Sequence, residues 1–341
     1  MRGLVEALCS PRCAGRKPGT PGGLAARQEV LGAFRAAGLD AFEQEVPACG
    51  GANILATIPG DVDRWILVGA HFDHLGQIGR DVFWGADDNA AAVAVLVEVA
   101  RGLTARRPSG RGVIIASFDG EEAPYFLTDS MGSELFARTP IVPLERIDLM
   151  LCMDLVGHSF GGEGLPGELR SSLFALGSER SVGTAEHLAS LARAEGGVIV
   201  RPADAEVIPP LSDHAAFWKR KRPFVLLTAG RWRHYHTPSD TPEKLDYAKM
   251  AATARWLERF VRETCARPDG PFPFVDARRD SLTLGSLVEI TSLLAATSAD
   301  ARSGLVYAKE LLLACDAAGR LPDARQAEAA MLVSALESRL A

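Results

Sequence analysis

No stretch of the 341-residue chain approaches the roughly 18 consecutive apolar residues that a membrane-crossing helix needs. The longest candidate, Ala90 to Val97, is stopped by Glu98. The N-terminal stretch MRGLVEALCSPRCAGRKPGTPGG lacks an apolar core of signal-peptide length, so export is not expected and a cytoplasmic location is. Cysteine is scarce and scattered: Cys9, Cys13, Cys49, Cys152, Cys265 and Cys315 suit reduced thiols, not a disulfide framework. Cys9 and Cys13 have no second Cys/His pair at zinc-finger spacing, which argues against a finger. A strong excess of one charge is missing too. With 37 basic and 43 acidic residues the net charge is −6, and the basic field of a nucleic-acid binder is absent. A 47% hydrophobic, 23% charged composition excludes long disorder, and no internal repeat points to a solenoid.

What is present is an alternation of helix-like and strand-like segments, which predicts an α/β layered fold. Strand-like runs cover Asn53 to Ile58, Trp65 to Ala70, Gly112 to Phe118, Ile147 to Met153 and Pro223 to Leu227. Helical patterns cover Leu24 to Ala37, Asn89 to Leu103, Val182 to Ala194 and Pro242 to Thr264. The turn-rich RPDGPFP marks a boundary. Residues 1–270 therefore read as a catalytic α/β domain and 276–341 as a helical extension of about three helices. That extension alternatively packs into the main core.

The acids and imidazoles fall in a pattern. His71 and Asp73 follow the strand-like WILVGA; Asp87 and Asp88 precede a helix; Glu121 and Glu122 follow GVIIASF. Asp154 ends IDLMLCM, and His236 lies in RHYHTPSD after PFVLL. In open α/β sheets the ligand site lies beyond the carboxyl ends of strands, so these groups are expected to converge. Singly, each has an ordinary explanation. Asp87-Asp88 alone reads best as a helix cap, and a lone histidine as a core residue. Jointly, buried carboxylates near one another need cations, and two imidazoles with three carboxylates match what Zn²⁺ accepts.

These segments resemble the dizinc, co-catalytic aminopeptidase family. The resemblance runs through GAHFDHLG, WGADDNAAA, FDGEEA, CMDLVG, LSDHAAF and YHTPSD, with CAGRKPGTPGG as an entry segment, over residues 9 to 266. It implies a zinc-exopeptidase-like fold: a mixed, mostly parallel central sheet flanked by helices, with the helical appendage added. It also implies two Zn²⁺ per chain, one held by His71 and Asp154, the other by Glu122 and His236, with Asp87 bridging. Glu121 would be the general base that takes a proton from the shared water and returns it to the leaving amine. Asp73 would orient His71, and the Asp87–Asp88 peptide would be strained or cis. The implied partners are peptides with a free N-terminus, with the C-terminal helices as a candidate surface for homo-oligomers.

Some features depart from the family pattern. The insertion Ala123 to Met131 precedes Gly132-Ser133, and the glycine-rich Gly157 to Gly167 reads as a candidate lid. His74 and His158 receive no ligand role and are expected around the site or facing solvent. Two other readings use the same residues: a glutaminyl-peptide cyclotransferase with one zinc, and a non-catalytic binding protein on the same scaffold. The Asp87-Asp88 doublet with His71 is the feature expected to separate the aminopeptidase from the cyclase.

Overall fold

The computed structural model describes residues 1–268, 270–296 and 298–340. In chain order its helices and strands are α1 (Arg2–Leu8), α2 (Pro21–Ala36), β1 (Phe42–Val46), β2 (Gly51–Ile58), β3 (Val62–His71), β4 (Gly76–Ile78), β5 (Asp81–Phe83), α3 (Ala91–Ala105) and β6 (Arg111–Phe118). They continue with α4 (Gly132–Arg138), β7 (Ile147–Met153), α5 (Gly167–Arg170), β8 (Ser172–Leu176), α6 (Thr184–Leu191), β9 (Ile199–Ala203), α7 (Ala215–Trp218) and β10 (Phe224–Thr228). Then come α8 (Tyr247–Cys265), α9 (Asp280–Leu294), α10 (Ala299–Leu313) and α11 (Gln326–Leu340).

Eight strands form one sheet in the order β1-β2-β6-β3-β7-β10-β8-β9. The central β6, β3, β7 and β10 are mutually parallel, while β1, β2 and β8 join antiparallel. The expected mixed, mostly parallel sheet is the observed one. The central strands are buried along nearly their whole length, the near-continuous apolar pattern of strands covered on both faces. One face packs on α1, α2, α3 and α8 through a cluster including Val30, Phe34, Leu96, Trp256 and Phe260. The other packs on α4 and α7 through Phe136, Phe217 and Phe224.

Local chemistry accounts for the element ends. Thr20 accepts a hydrogen bond from the Gly23 N–H and Pro21 opens α2, so that helix starts three residues earlier than its apolar rhythm indicates. The expected single helix from Pro242 to Thr264 is two pieces. Pro242–Lys244 is one 3₁₀ turn, Leu245 is extended, and Asp246 caps α8 by accepting from the Lys249 N–H. Strands β1, β8 and β9 carry no clean alternation and are visible only through their pairing.

Three helices follow the boundary segment, which the buried Arg111 holds by donating to the carbonyls of Arg267, Pro268 and Gly270. Helix α9 lies on β9, with Ser286 donating to the Pro202 carbonyl at 2.6 Å and Thr283 accepting from the Asp204 N–H at 2.9 Å. Leu284, Leu287, Ala308, Leu311, Leu321 and Leu332 form a small core of their own. Ile290 and Leu294 pack with Leu169, and Phe160 and Leu165 of the glycine-rich loop lie against that cluster. Among the described residues no helix is long and apolar enough to cross a membrane, and all six cysteines are free.

Trp256 of α8 is fully buried and donates its indole N–H to the Leu191 carbonyl at 2.9 Å. Trp256→Ala should lower stability by about 3–5 kcal/mol in urea titrations. A loss below about 1 kcal/mol would contradict this placement, because such a site could not then be closely packed.

Candidate metal centre

Four neighbouring parallel strands bring the site together. His71 is the last residue of β3, Asp154 directly follows β7, Glu121 and Glu122 stand just beyond β6, and His236 lies in the loop after β10. The remaining carboxylate comes from the wide helical turn Ala86–Ala90 ahead of α3.

That carboxylate belongs to Asp88, not Asp87. Asp88 Oδ1 lies 3.6 Å from His71 Nε2, and its Oδ2 lies 3.0 Å from His236 Nε2. Asp87 points the other way. Its Oδ1 accepts the N–H groups of Gly157 and His158 at 2.6 and 3.1 Å, and its Oδ2 meets His158 Nδ1 at 2.7 Å. Neighbouring side chains leave a turn in different directions, so only one of the pair faces the cluster. The cis peptide is correspondingly Asp88–Asn89, not Asp87–Asp88. The doublet therefore does not separate the two enzyme readings, since the inward carboxylate is followed by Asn89 and the other acid is engaged elsewhere.

His71 Nε2 also lies 3.6 Å from Asp154 Oδ1 and 3.8 Å from Glu121 Oε2. Glu122 Oε1 lies 3.2 Å from His236 Nε2 and 2.8 Å from His74 Nδ1. Asp73 accepts the N–H groups of Glu121 and Glu122 at 3.0 and 3.1 Å, and its Oδ1 lies 3.6 Å from His71 Nδ1. His71, Asp154, Asp88, Glu121, Glu122 and His236 thus converge, with Asp73 beneath them. His74 and His158, expected at the margin, are both buried; His158 stacks on Trp232 with centroids 4.8 Å apart.

The electrostatics point to missing positive charge. Burial by itself would depress the His71 imidazole, yet Glu121, Asp154 and Asp73 outweigh it and hold its pKa well above the ordinary value. For His236 burial again opposes, but Asp88 and Glu122 push it up to about 10. Burial, then the charges of Asp154 and Glu122, raise Glu121 well above the usual carboxylate range, against the pull of His71. Glu122 is the contrast: burial is overcome by hydrogen bonds from His236 and His74, which hold it far below that range. Among the described residues no lysine or arginine pairs with Asp88, Glu121, Glu122 or Asp154. The buried atoms His71 Nε2 and Asp154 Oδ1 make no hydrogen bond among the described residues. Two groups of donor atoms, His71/Asp88/Asp154 and His74/Asp88/Glu122, each lie within 4.8 Å of one another. Imidazole nitrogens and carboxylate oxygens aimed inward without partners are the donor set Zn²⁺ takes, so the residues fit the metal.

Two supporting residues were not singled out from sequence, although both sit in motifs that were. Asp240 of YHTPSD is buried and accepts the N–H groups of Asp87 and Asp88 at 2.9 to 3.1 Å. Arg16 of CAGRKPG is buried and donates to the carbonyls of Phe72, Leu8, Trp84, Gly85 and Asp88. Loop carbonyls with no strand to pair with are a recurrent reason for a buried arginine. Asp240→Ala leaves two buried N–H donors unpaired, and zinc-free protein should lose about 2–5 kcal/mol in urea unfolding. Unchanged stability would mean that the turn carrying Asp88 does not depend on Asp240.

Comparison with known proteins supplies the family and the fold. Residues 53–261 match the model described as peptidase family M28. The uncharacterized protein YfbL of Escherichia coli K12 is 30% identical over 241 residues, covering 64% of this chain and 73% of YfbL. Three solved structures share the fold. Glutaminyl cyclase of Porphyromonas gingivalis has a TM-score of 0.62 at 23% identity, covering 77% of this chain and 96% of that one. The LapA aminopeptidase of Legionella pneumophila has a TM-score of 0.64 at 16% identity, covering 79% and 73%. A Zn-dependent exopeptidase of Parabacteroides distasonis has a TM-score of 0.60 at 23% identity, covering 77% and 98%. The model match spans more than half of the chain and includes every strand end that carries the metal-centre residues: the chain belongs to peptidase family M28.

Proposed function

We propose that this M28 protein is a zinc aminopeptidase that removes N-terminal residues from peptides with two cations per chain. The observation that carries the reading is the two-sided placement of Asp88. Its Oδ1 faces His71 and Asp154 while its Oδ2 faces His236 and Glu122, the arrangement of a carboxylate shared by two ions. His71 and Asp154 would hold one zinc, Glu122 and His236 the other, with Asp88 common to both. When bound, paired zinc ions supply Lewis-acid polarisation of a carbonyl and acidify water.

The chain's own groups do the rest. Glu121 has no ligand task in this scheme; it lies 3.8 Å from His71 at the edge of the cluster, where its free carboxylate is suited to accept a proton from the attacking water. The same carboxyl then delivers that proton to the nitrogen of the departing amine. Asp73 keeps Glu121 and Glu122 in register by binding both of their N–H groups, and it faces the Nδ1 side of His71, favouring Nε2 as the inward atom. The carboxylate cluster of the site would attract the ammonium of a free N-terminus, which favours exopeptidase cleavage. Cytoplasmic action and association through the C-terminal helices remain part of the same proposal.

The second reading, a glutaminyl-peptide cyclotransferase, draws on the similarity in fold to the Porphyromonas glutaminyl cyclase. One zinc at Asp88, Glu122 and His236 would serve it. Metal analysis of the purified chain should return two zincs, with release of amino acids from aminoacyl anilides. One zinc together with cyclisation of N-terminal glutamine would overturn the aminopeptidase.

Glu121→Gln should retain zinc while hydrolysis falls by about 10²- to 10⁴-fold, read by steady-state kinetics. Undiminished turnover would remove Glu121 from proton transfer. Chelation of the metal should lower the melting temperature, because the native chain alone presents the assembled ligands; an unchanged value would mean that the native site holds no ion.

A further inference from the structure

His74 lies three residues beyond His71, on the far side of Asp73, and has no exposed surface. Its backbone N–H reaches the Arg16 carbonyl at 3.4 Å. The ring rests against Gly85, whose φ is +59°; a Cβ there would sit 2.5 Å from ring carbons Cγ and Cδ2. The imidazole therefore occupies space that only a glycine leaves open, and it has little room to turn.

One contact gives that fixed ring a direction. Nδ1 lies 2.8 Å from Glu122 Oε1, the same oxygen that His236 Nε2 approaches at 3.2 Å. Separation argues against His74 as a ligand itself. Zinc bonds of about 2.0–2.1 Å place tetrahedral ligand atoms roughly 3.3 Å apart, and His71 Nε2 stands 3.6 Å from both Asp88 and Asp154. At 2.8 Å the His74–Glu122 contact has the length of a hydrogen bond. An ionised carboxylate only accepts, so in this contact Nδ1 carries the proton and donates. Nε2 is buried and has no partner, so no competing group pulls the ring away. Asp73 secures the Glu122 backbone, but among the described residues the hydrogen bonds to its carboxylate come from His74 and His236.

We propose that His74 is a positioning residue: its Nδ1–H aims Glu122 Oε1 at the cation position shared with His236 and Asp88, and so sets the affinity of that position. The inference rests on the dizinc reading. In that scheme the position at Glu122 has a dedicated donor holding its carboxylate. Among the described residues the position at Asp154 has none: Asp154 Oδ1 makes no hydrogen bond. The two ions are then held unequally, the one at Glu122 more tightly.

The test is zinc affinity of the full chain, by competition with a chromogenic chelator, in wild type, His74→Leu and His74→Asn. The Leu variant removes the donor. Asn places an amide N–H close to the position of Nδ1. Wild type should bind two equivalents with different affinities. His74→Leu should weaken the tighter one by about 10- to 100-fold and leave the other unchanged, and His74→Asn should recover most of the loss. Unchanged affinities in His74→Leu would overturn the proposal. So would an Asn variant as weak as Leu, which would make the imidazole itself a ligand. Should the Leu chain fail to fold, Asn against wild type decides: near-equal affinities support the donor role, and a 10-fold or larger loss overturns it. A wild type that binds a single equivalent overturns the dizinc reading instead, and the same Leu-against-Asn contrast then judges His74 at that one ion.

Discussion

Carboxylates in excess of their neutralising partners, buried at one edge of a parallel sheet, are the constraint around which the molecule is organised. Among the described residues Asp88, Glu121, Glu122 and Asp154 pair with imidazoles and with no lysine or arginine, and His71 and His236 are driven toward their charged forms by that company. Such a cluster is costly in a low-dielectric interior unless cations enter it. The fold tolerates it because four adjacent strands end at the same level, where main-chain pairing stops and side chains point at one another across short distances.

Around that cluster lies a layer of buried polar groups whose work is to hold main chain. Asp73 takes the N–H groups after β6, Asp240 those of the turn carrying Asp88, and Arg16 a set of carbonyls from α1 to Asp88. Asp87 binds the start of the glycine-rich loop, and the buried Lys249 donates to the His158 carbonyl beside it. Further along, Phe160 and Leu165 of that loop pack with Ile290 and Leu294 of α9. The stretch read as a lid is thus tied both to the metal centre and to the C-terminal helices. Geometry at the cluster is inherited from these loops.

Much of the fold was legible. The run Ile147 to Met153 is a strand over the same residues, and the other strand-like runs match β2, β3, β6 and β10 within a few positions. These strands are buried on both faces, so continuous apolar runs betray them. The edge strands β1 and β9, and the short β8 beside β9, show no alternation of their own and depend on neighbours for meaning. The break at Leu245 leaves no mark in the sequence pattern because the apolar rhythm passes through it; Asp246 as a cap interrupts the backbone without interrupting the pattern.

At the site, the chemistry of His71, Glu121, Glu122, Asp154 and His236 follows from their positions after strands, and the types of residue already pointed to divalent cations. Sequence determined which groups are available and at which strand ends they stand, because burial patterns and turn residues are local properties. Tertiary structure alone decided that Asp88, not Asp87, faces inward, that Asp87 serves the loop at His158, and that His74 meets Glu122. Such choices depend on the path of the main chain through a turn and on contacts between residues far apart in sequence. Adjacent acids are chemically equivalent until the backbone points one of them at the metal centre and the other away.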